Sequence, residues 1–270
     1  MQNTAAETRT LSFLVCRIRG FDDLVTAYVA QPEALCRFVR RSATLMADTI
    51  HAHGGIIDRV SPGGLSAYFE AGPETGLHTL KACECALAML ARAETLNRKL
   101  MSTHPLRIGI GINTGSAILG DFGTDDQPLQ AAVGRAAERA DALERLSTTY
   151  GAAILAGAAV EKDAERSFAF LQVDHCTEDH DGNLLPVWAM LAPPMSRASP
   201  QLLALKSFHT HIFDAIRDKD WNGARAAVAH CRALSGANPV LYDFYLQRID
   251  HYEANPPASD WNGVLMPMRS

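Results

Sequence analysis

Three short stretches carry the side chains best placed to do chemistry, and their notable groups are guanidiniums and bare backbone. Arg17 and Arg19 lie in Phe13-Leu14-Val15-Cys16-Arg17-Ile18-Arg19-Gly20-Phe21. Arg59 and Gly63 lie in His53-Gly54-Gly55-Ile56-Ile57-Asp58-Arg59-Val60-Ser61-Pro62-Gly63-Gly64-Leu65, and Arg135 lies between Ala132 and Glu144. A guanidinium pairs with phosphate or carboxylate through a planar fork. It repels a hard divalent cation, which needs oxygen ligands. The chemistry within reach is therefore metal-free anion pairing. The other reactive types offer less. His51/His53 and His209/His211 are each spaced two apart, which does not place them on one helical face. Cys83 and Cys85 also face different sides of a helix, and the six cysteines show no framework spacing, so reduced packing thiols are expected. Asp121-Phe122-Gly123 has the letters of a kinase motif but lacks the glycine-rich loop and catalytic loop that would give it meaning.

The elements that must position these residues are legible from periodicity. Leu11 to Ile18 reads as a strand, and Pro32 opens a helix with Leu35, Phe38, Val39, Met46 and Ile50 on one face, closed by Gly54-Gly55. Ile56 to Val60 and Leu65 to Phe69 read as strands around the turn Ser61-Pro62-Gly63-Gly64. A second helix runs to about Leu100. Then Leu106, Ile108, Ile110 and Ile112 alternate with Arg107, Gly109, Gly111 and Asn113, so one face of a strand is core and the other lies against something that needs small residues. The glycines at 109, 111 and 115 are expected to allow close packing of strand and partner subunit rather than backbone approach to a ligand. A separate strand at Ser116 to Gly120, a helix across Arg135 to Thr149, and strands at Ala152 to Ala156, Phe168 to Val173 and Leu185 to Leu191 complete the pattern. This is an α+β chain with a ferredoxin-like βαββαβ core.

Prolines and serines at 193–200 mark a linker between a first domain, 1–192, and a helical extension, 201–270. The extension reads as three helices, Leu202 to Arg217, Trp221 to Leu234 and Pro239 to Tyr252, with tetratricopeptide-like small and aromatic residues at Trp221, Ala224 and Ala227. One such unit is too short to stand alone, so it is expected to pack on the first domain, with Trp221 and Trp261 as anchors. A formal net charge of -5 argues against a nucleic-acid partner. The start has no apolar core of a signal peptide, and no run is long enough for a membrane span, which points to a cytoplasmic protein.

Across Leu11 to Leu191 the chain resembles the class III adenylate/guanylate cyclase homology domain, most clearly at Arg107-Ile108-Gly109-Ile110-Gly111-Ile112-Asn113-Thr114-Gly115. The C-terminal segment from Asn255 to Val264 is similar to the end of the helical extension of some bacterial class III cyclases. The resemblance implies a site shared between two chains. In it one Asp in each of the first two stretches holds two divalent ions, which stabilise attacking and leaving oxygens together. Those two positions correspond to Arg17 and Gly63. The base-reading Lys corresponds to Arg59 and the base-reading Asp to Arg135, while the transition-state Asn and Arg correspond to Glu138 and Ala142.

With both halves of the site changed, the resemblance implies a degenerate cyclase, without cofactor or metal, acting as a signalling, dimerising or scaffolding module. Its partner would be a second copy or another signalling protein. Two other readings stay open. One is a metal-free sensor of a nucleotide or another anion, lined by Arg17, Arg19, Gly20, Phe21, Arg59 and Arg135. The other is a divergent cyclase with displaced ligands, for which Asp58 and Asp22 are the candidates. If Arg17, Arg59 and Arg135 do not hold an anion, each is expected to pair with a neighbouring carboxylate such as Asp58, Glu138 or Asp141.

Overall fold

The computed structural model describes residues 6–71, 78–100, 104–124, 126–177, 184–192, 199–234, 238–258, 261 and 263. The chain starts with β1 (Glu7–Ile18), a short α1 (Phe21–Ala27) and α2 (Pro32–Ala52), followed by the hairpin β2 (Ile56–Ser61) and β3 (Gly64–Glu70). Then come α3 (His78–Leu100), β4 (Ile108–Asp121), β5 (Gln130–Val133) and α4 (Arg135–Thr149). The first domain closes with β6 (Ile154–Gly157), α5 (Ala158–Ala164), β7 (Ala169–Thr177) and β8 (Leu184–Leu191). Three helices follow: α6 (Pro200–Arg217), α7 (Trp221–Ala233) and α8 (Pro239–Ala254).

One mixed sheet runs in the order β2-β3-β1-β4-β6-β8-β7, with β5 paired to β4. Its first four strands, with α2 between β1 and β2 and α3 between β3 and β4, make the expected βαββαβ unit. Alternation sends Leu14, Cys16 and Ile18 into one core with Met46 and Ile50 of α2 and Met89 of α3. Each fully buried aliphatic side chain there contributes roughly 1.5–3 kcal/mol. Phe13 and Val15 point to the opposite face and meet Ala136 and Ala140 of α4. A third core joins Leu143, Leu171, Val173 and Val187 to Leu205, Ile212 and Tyr245 of the extension. The extension thus packs on the first domain, and Trp221 and Trp261 lie half-buried against this third core. Most of the expected linker, 193–198, falls outside the described residues.

The structure departs from the sequence reading in three places, and agrees with it on the cysteines. Ser116 to Gly120 is not a separate strand: β4 continues unbroken through Asn113-Thr114-Gly115, because its far half pairs with the polar start of β1, Glu7 opposite Leu119 and Thr10 opposite Ser116. The helices α1 and α5 and the strand β5 are too short to show a period. The glycines of β4 receive a helix of the same chain rather than a partner subunit. A Cβ on Gly111 would lie 2.0 Å from the Ala140 carbonyl oxygen and 2.4 Å from the Glu144 amide nitrogen, so α4 rests directly on strand backbone. Cys83 and Cys85 are both fully buried, as packing thiols.

Candidate functional site

The site is built where β1 ends beneath α4. Arg17 follows Phe13 and Val15 on the α4 face, and its cross-strand neighbours are Gly64 on β3 and Gly109 on β4. Two glycines flanking one long side chain leave it room to lie under the helix. Asp141 and Glu144, three apart, share one face of α4. Arg17 Nη1 donates to Glu144 Oε2 at 2.5 Å and Nη2 donates to Asp141 Oδ1. The Glu144 side chain is 7% exposed and that of Arg17 39%, so the pair is closed on one side and wet on the other. Burial works against the Arg17 charge, yet hydrogen bonds from the two carboxylates outweigh it and raise its pKa. Burial pushes the Glu144 carboxyl above the usual range, and Arg17 pulls it only part of the way back.

Arg19, the next residue on the same side, reaches the end of the same helix. Its Nη2 donates to Ser147 Oγ at 3.1 Å and to the carbonyl of Ala152. Its Nε is buried without a hydrogen-bond partner among the described residues. Burial lowers the pKa of this guanidinium; Glu144 opposes the shift and Arg107 adds to it.

The hairpin stretch is tied to this end of β1, since the Ile18 amide donates to the Gly63 carbonyl at 2.7 Å. Gly63 faces the Phe21 ring, which a Cβ would meet at 3.3 Å. Asp58 is occupied: its carboxylate accepts from Ser66 Oγ and from the Ala132 amide, both at 3.3 Å. Asp22 is exposed in the first turn of α1. Arg59 is exposed on β2, and Arg135 and Glu138 are exposed on the first turn of α4, with Ala142 half-buried. Arg135 precedes Asp141 by six residues, roughly 9 Å along the helix axis at 1.5 Å per residue. The structure thus joins Arg17 and Arg19 to α4, while Arg59 and Arg135 lie at its surface outside that network.

Asp141 was an expected partner of Arg17; Glu144 and Ser147 were missed. Their helical spacing was visible in the sequence, but the register that sets α4 over Gly109 was not. Beyond this network, a cleft of about 210 Å³ opens between α4, β6 and β8, lined by Asn113, Arg139, Leu143, Gly157, Leu185 and Val187. Among the described residues no group of three His, Cys, Asp or Glu side chains is arranged to hold a metal ion, and no helix is long and apolar enough to cross a membrane.

No protein-family profile matches the chain. It is 27% identical to an adenylate cyclase from Anabaena cylindrica over 173 residues, 63% of this chain and 34% of that protein. It is 29% identical to adenylate cyclase 1 of Rhizobium meliloti over 131 residues, 48% of this chain and 20% of that protein. The chain therefore spans about a third or less of the curated relatives it matches. The fold matches the crystal structure of the adenylyl cyclase CyaB from P. aeruginosa with a TM-score of 0.63 at 21% identity, over 71% of this chain and 98% of that one. The distant sequence relatives and the structural match agree: the chain has the fold of the class III adenylate/guanylate cyclase homology domain and is similar to adenylate cyclases in sequence.

Proposed function

We propose that this domain is a class III cyclase homologue that makes no cyclic nucleotide and serves as a signalling, dimerising or scaffolding module. The observation that carries the reading is the grip of Asp141 and Glu144 on Arg17. By the family resemblance a carboxylate would stand at Arg17 and another at Gly63. A guanidinium already neutralised by two acids, and a glycine facing the Phe21 ring, do not fit a pair of divalent cations. The Asp58 oxygens already accept from Ser66 and Ala132. The residues that would stand for the transition-state donors, Glu138 and Ala142, offer no positive charge to a triphosphate, and loss of one such donor costs about a hundredfold or more in rate.

Dimerisation is supported by an unpartnered apolar pair, Ile118 and Val133, which oppose each other across the β4–β5 ladder and are each 48% exposed. Purified protein with ATP or GTP and Mg²⁺ or Mn²⁺ is expected to give no cyclic nucleotide above a blank, and light scattering to give a dimer. Turnover would overturn the inactive reading. Turnover lost in Asp58→Asn or Asp22→Asn would establish displaced ligands instead. A second reading, a metal-free anion receptor, is favoured by one observation, the buried unpartnered Nε of Arg19. Binding of a nucleotide without metal, lost in Arg17→Ala and Arg59→Ala, would select it.

A further inference from the structure

We propose that the last turn of α4 and the turn after it form a relay, linking the position of the three C-terminal helices to the arginine end of β1. Tyr150 caps α4 and is fully buried. Its ring stands edge-on to Phe244 of α8 with centroids 5.3 Å apart, and its hydroxyl donates to Asp174 Oδ2 of β7 at 2.5 Å. Its carbonyl accepts from Asn238 Nδ2, at the start of α8, at 2.7 Å. Gly151 then turns the chain with φ 60°, and a Cβ there would lie 2.6 Å from Val240 Cβ and 2.7 Å from Asn238 Oδ1. The extension is therefore seated against this turn.

The other side of the same turn belongs to the Arg17–Arg19 network. The Ala152 carbonyl accepts from Arg19, Ser147 Oγ accepts from the same nitrogen, and the Ala153 carbonyl accepts from the Ile110 amide at 2.9 Å. Only Gly151 separates the carbonyl held by Asn238 from the carbonyl held by Arg19. One turn further back, Glu144 and Asp141 hold Arg17. The rest of the extension is pinned to β7 by Tyr245, whose hydroxyl donates to the Val173 carbonyl at 2.6 Å, and by His209 against the Gln172 carbonyl at 2.7 Å. A partner that shifts α8 must strain the Tyr150–Ala152 segment, and through it the Arg19 and Arg17 bonds. Linkage makes the effect reciprocal. The regulatory meaning rests on reading the end of β1 around Arg17 as a former nucleotide site; the mechanical link does not.

Hydrogen exchange of the full chain, read by mass spectrometry, tests it in both directions. Asn238→Asp removes the donor to Tyr150 while keeping the acceptor that caps α8 at the Leu241 amide. The amides of residues 14–19 and 107–111 are then expected to exchange about three- to tenfold faster, the scale of one lost hydrogen bond, with α2 and α3 unchanged. Arg19→Met is expected to speed exchange in α8 and residues 171–174 by a similar factor. Acceleration confined to the mutated side in both variants would overturn the relay. So would equal acceleration throughout the molecule, which marks general loosening. Cyclic nucleotide production would overturn the inactive reading and leave the exchange result standing.

Discussion

Arg17 is held because a planar fork meets two carboxylates one helical turn apart on a side chain half in water. The bond to Glu144 matters more than the bond to Asp141, since Glu144 is almost fully enclosed and Asp141 has a second partner in Arg145. Removing the cation leaves an enclosed carboxylate without a hydrogen-bonded countercharge, with only the field of Arg19 to offset it, and that cost exceeds the worth of an exposed ion pair. Arg17→Met is therefore expected to lower unfolding free energy by about 2 kcal/mol, a figure reduced from the fully buried case because Arg17 is partly solvated. Adding Glu144→Gln should return about half of it, because a neutral amide is cheaper to enclose than a lone charge. Urea denaturation of the two single variants and the double variant checks both numbers. Equal losses in Arg17→Met with and without Glu144→Gln would show that the pair contributes no specific energy. The sequence marked Arg17 by resemblance alone, at a position where an acid is implied; only the fold showed which acids answer it.

At the scale of elements, the site depends on how closely α4 approaches β4. That distance is set by glycines whose missing side chains are replaced by helix backbone. Gly111→Ala would drive a methyl into the Ala140 carbonyl and the Glu144 amide, neither of which can rotate away. It is expected to cost about 3 kcal/mol or more and to loosen the Arg17 pair. Gly115→Ala meets only the Ala136 methyl, at 3.1 Å, and should cost less than about 1 kcal/mol. Thermal unfolding of the two variants separates these cases. Alternation in Leu106, Ile108, Ile110 and Ile112 made the strand and its core face readable, but glycines carry no mark of what lies against them. A partner subunit and a helix of the same chain ask for the same absence of side chain, so the residues alone could not choose between them.

For the whole molecule, the extension is held to the sheet by a junction of buried, hydrogen-bonded polar groups. His209 is 1% exposed, bonded to the Gln172 carbonyl through one ring nitrogen and to the Tyr242 hydroxyl through the other, at 2.7 and 3.0 Å. Burial lowers its pKa from 6.5 to about 4, with the Gln172 bond opposing. The folded state needs the neutral ring, so the unfolded chain takes the proton more readily between these values. The corresponding stability is full above pH 6.5 and is lost as pH falls towards 4, about 3 kcal/mol in all. His175, whose pKa burial also lowers, acts in the same sense. Unfolding midpoints measured from pH 7 to 4.5 should fall steeply, and His209→Gln should flatten much of that slope. An unchanged slope in that variant would place the acid sensitivity elsewhere.

The sequence by itself determined the α+β class and the order of the long elements, because periodicity and turn chemistry are local; by resemblance it also put Arg17 and Gly63 where acids are implied. The partners of Arg17 and Arg19, the burial of His209 and the closeness of α4 to β4 were decided only by tertiary structure. Each brings together residues distant in the chain, such as Arg17 with Glu144 and His209 with Gln172. No local pattern encodes such meetings; they follow from strand register and from how the helices settle on the sheet.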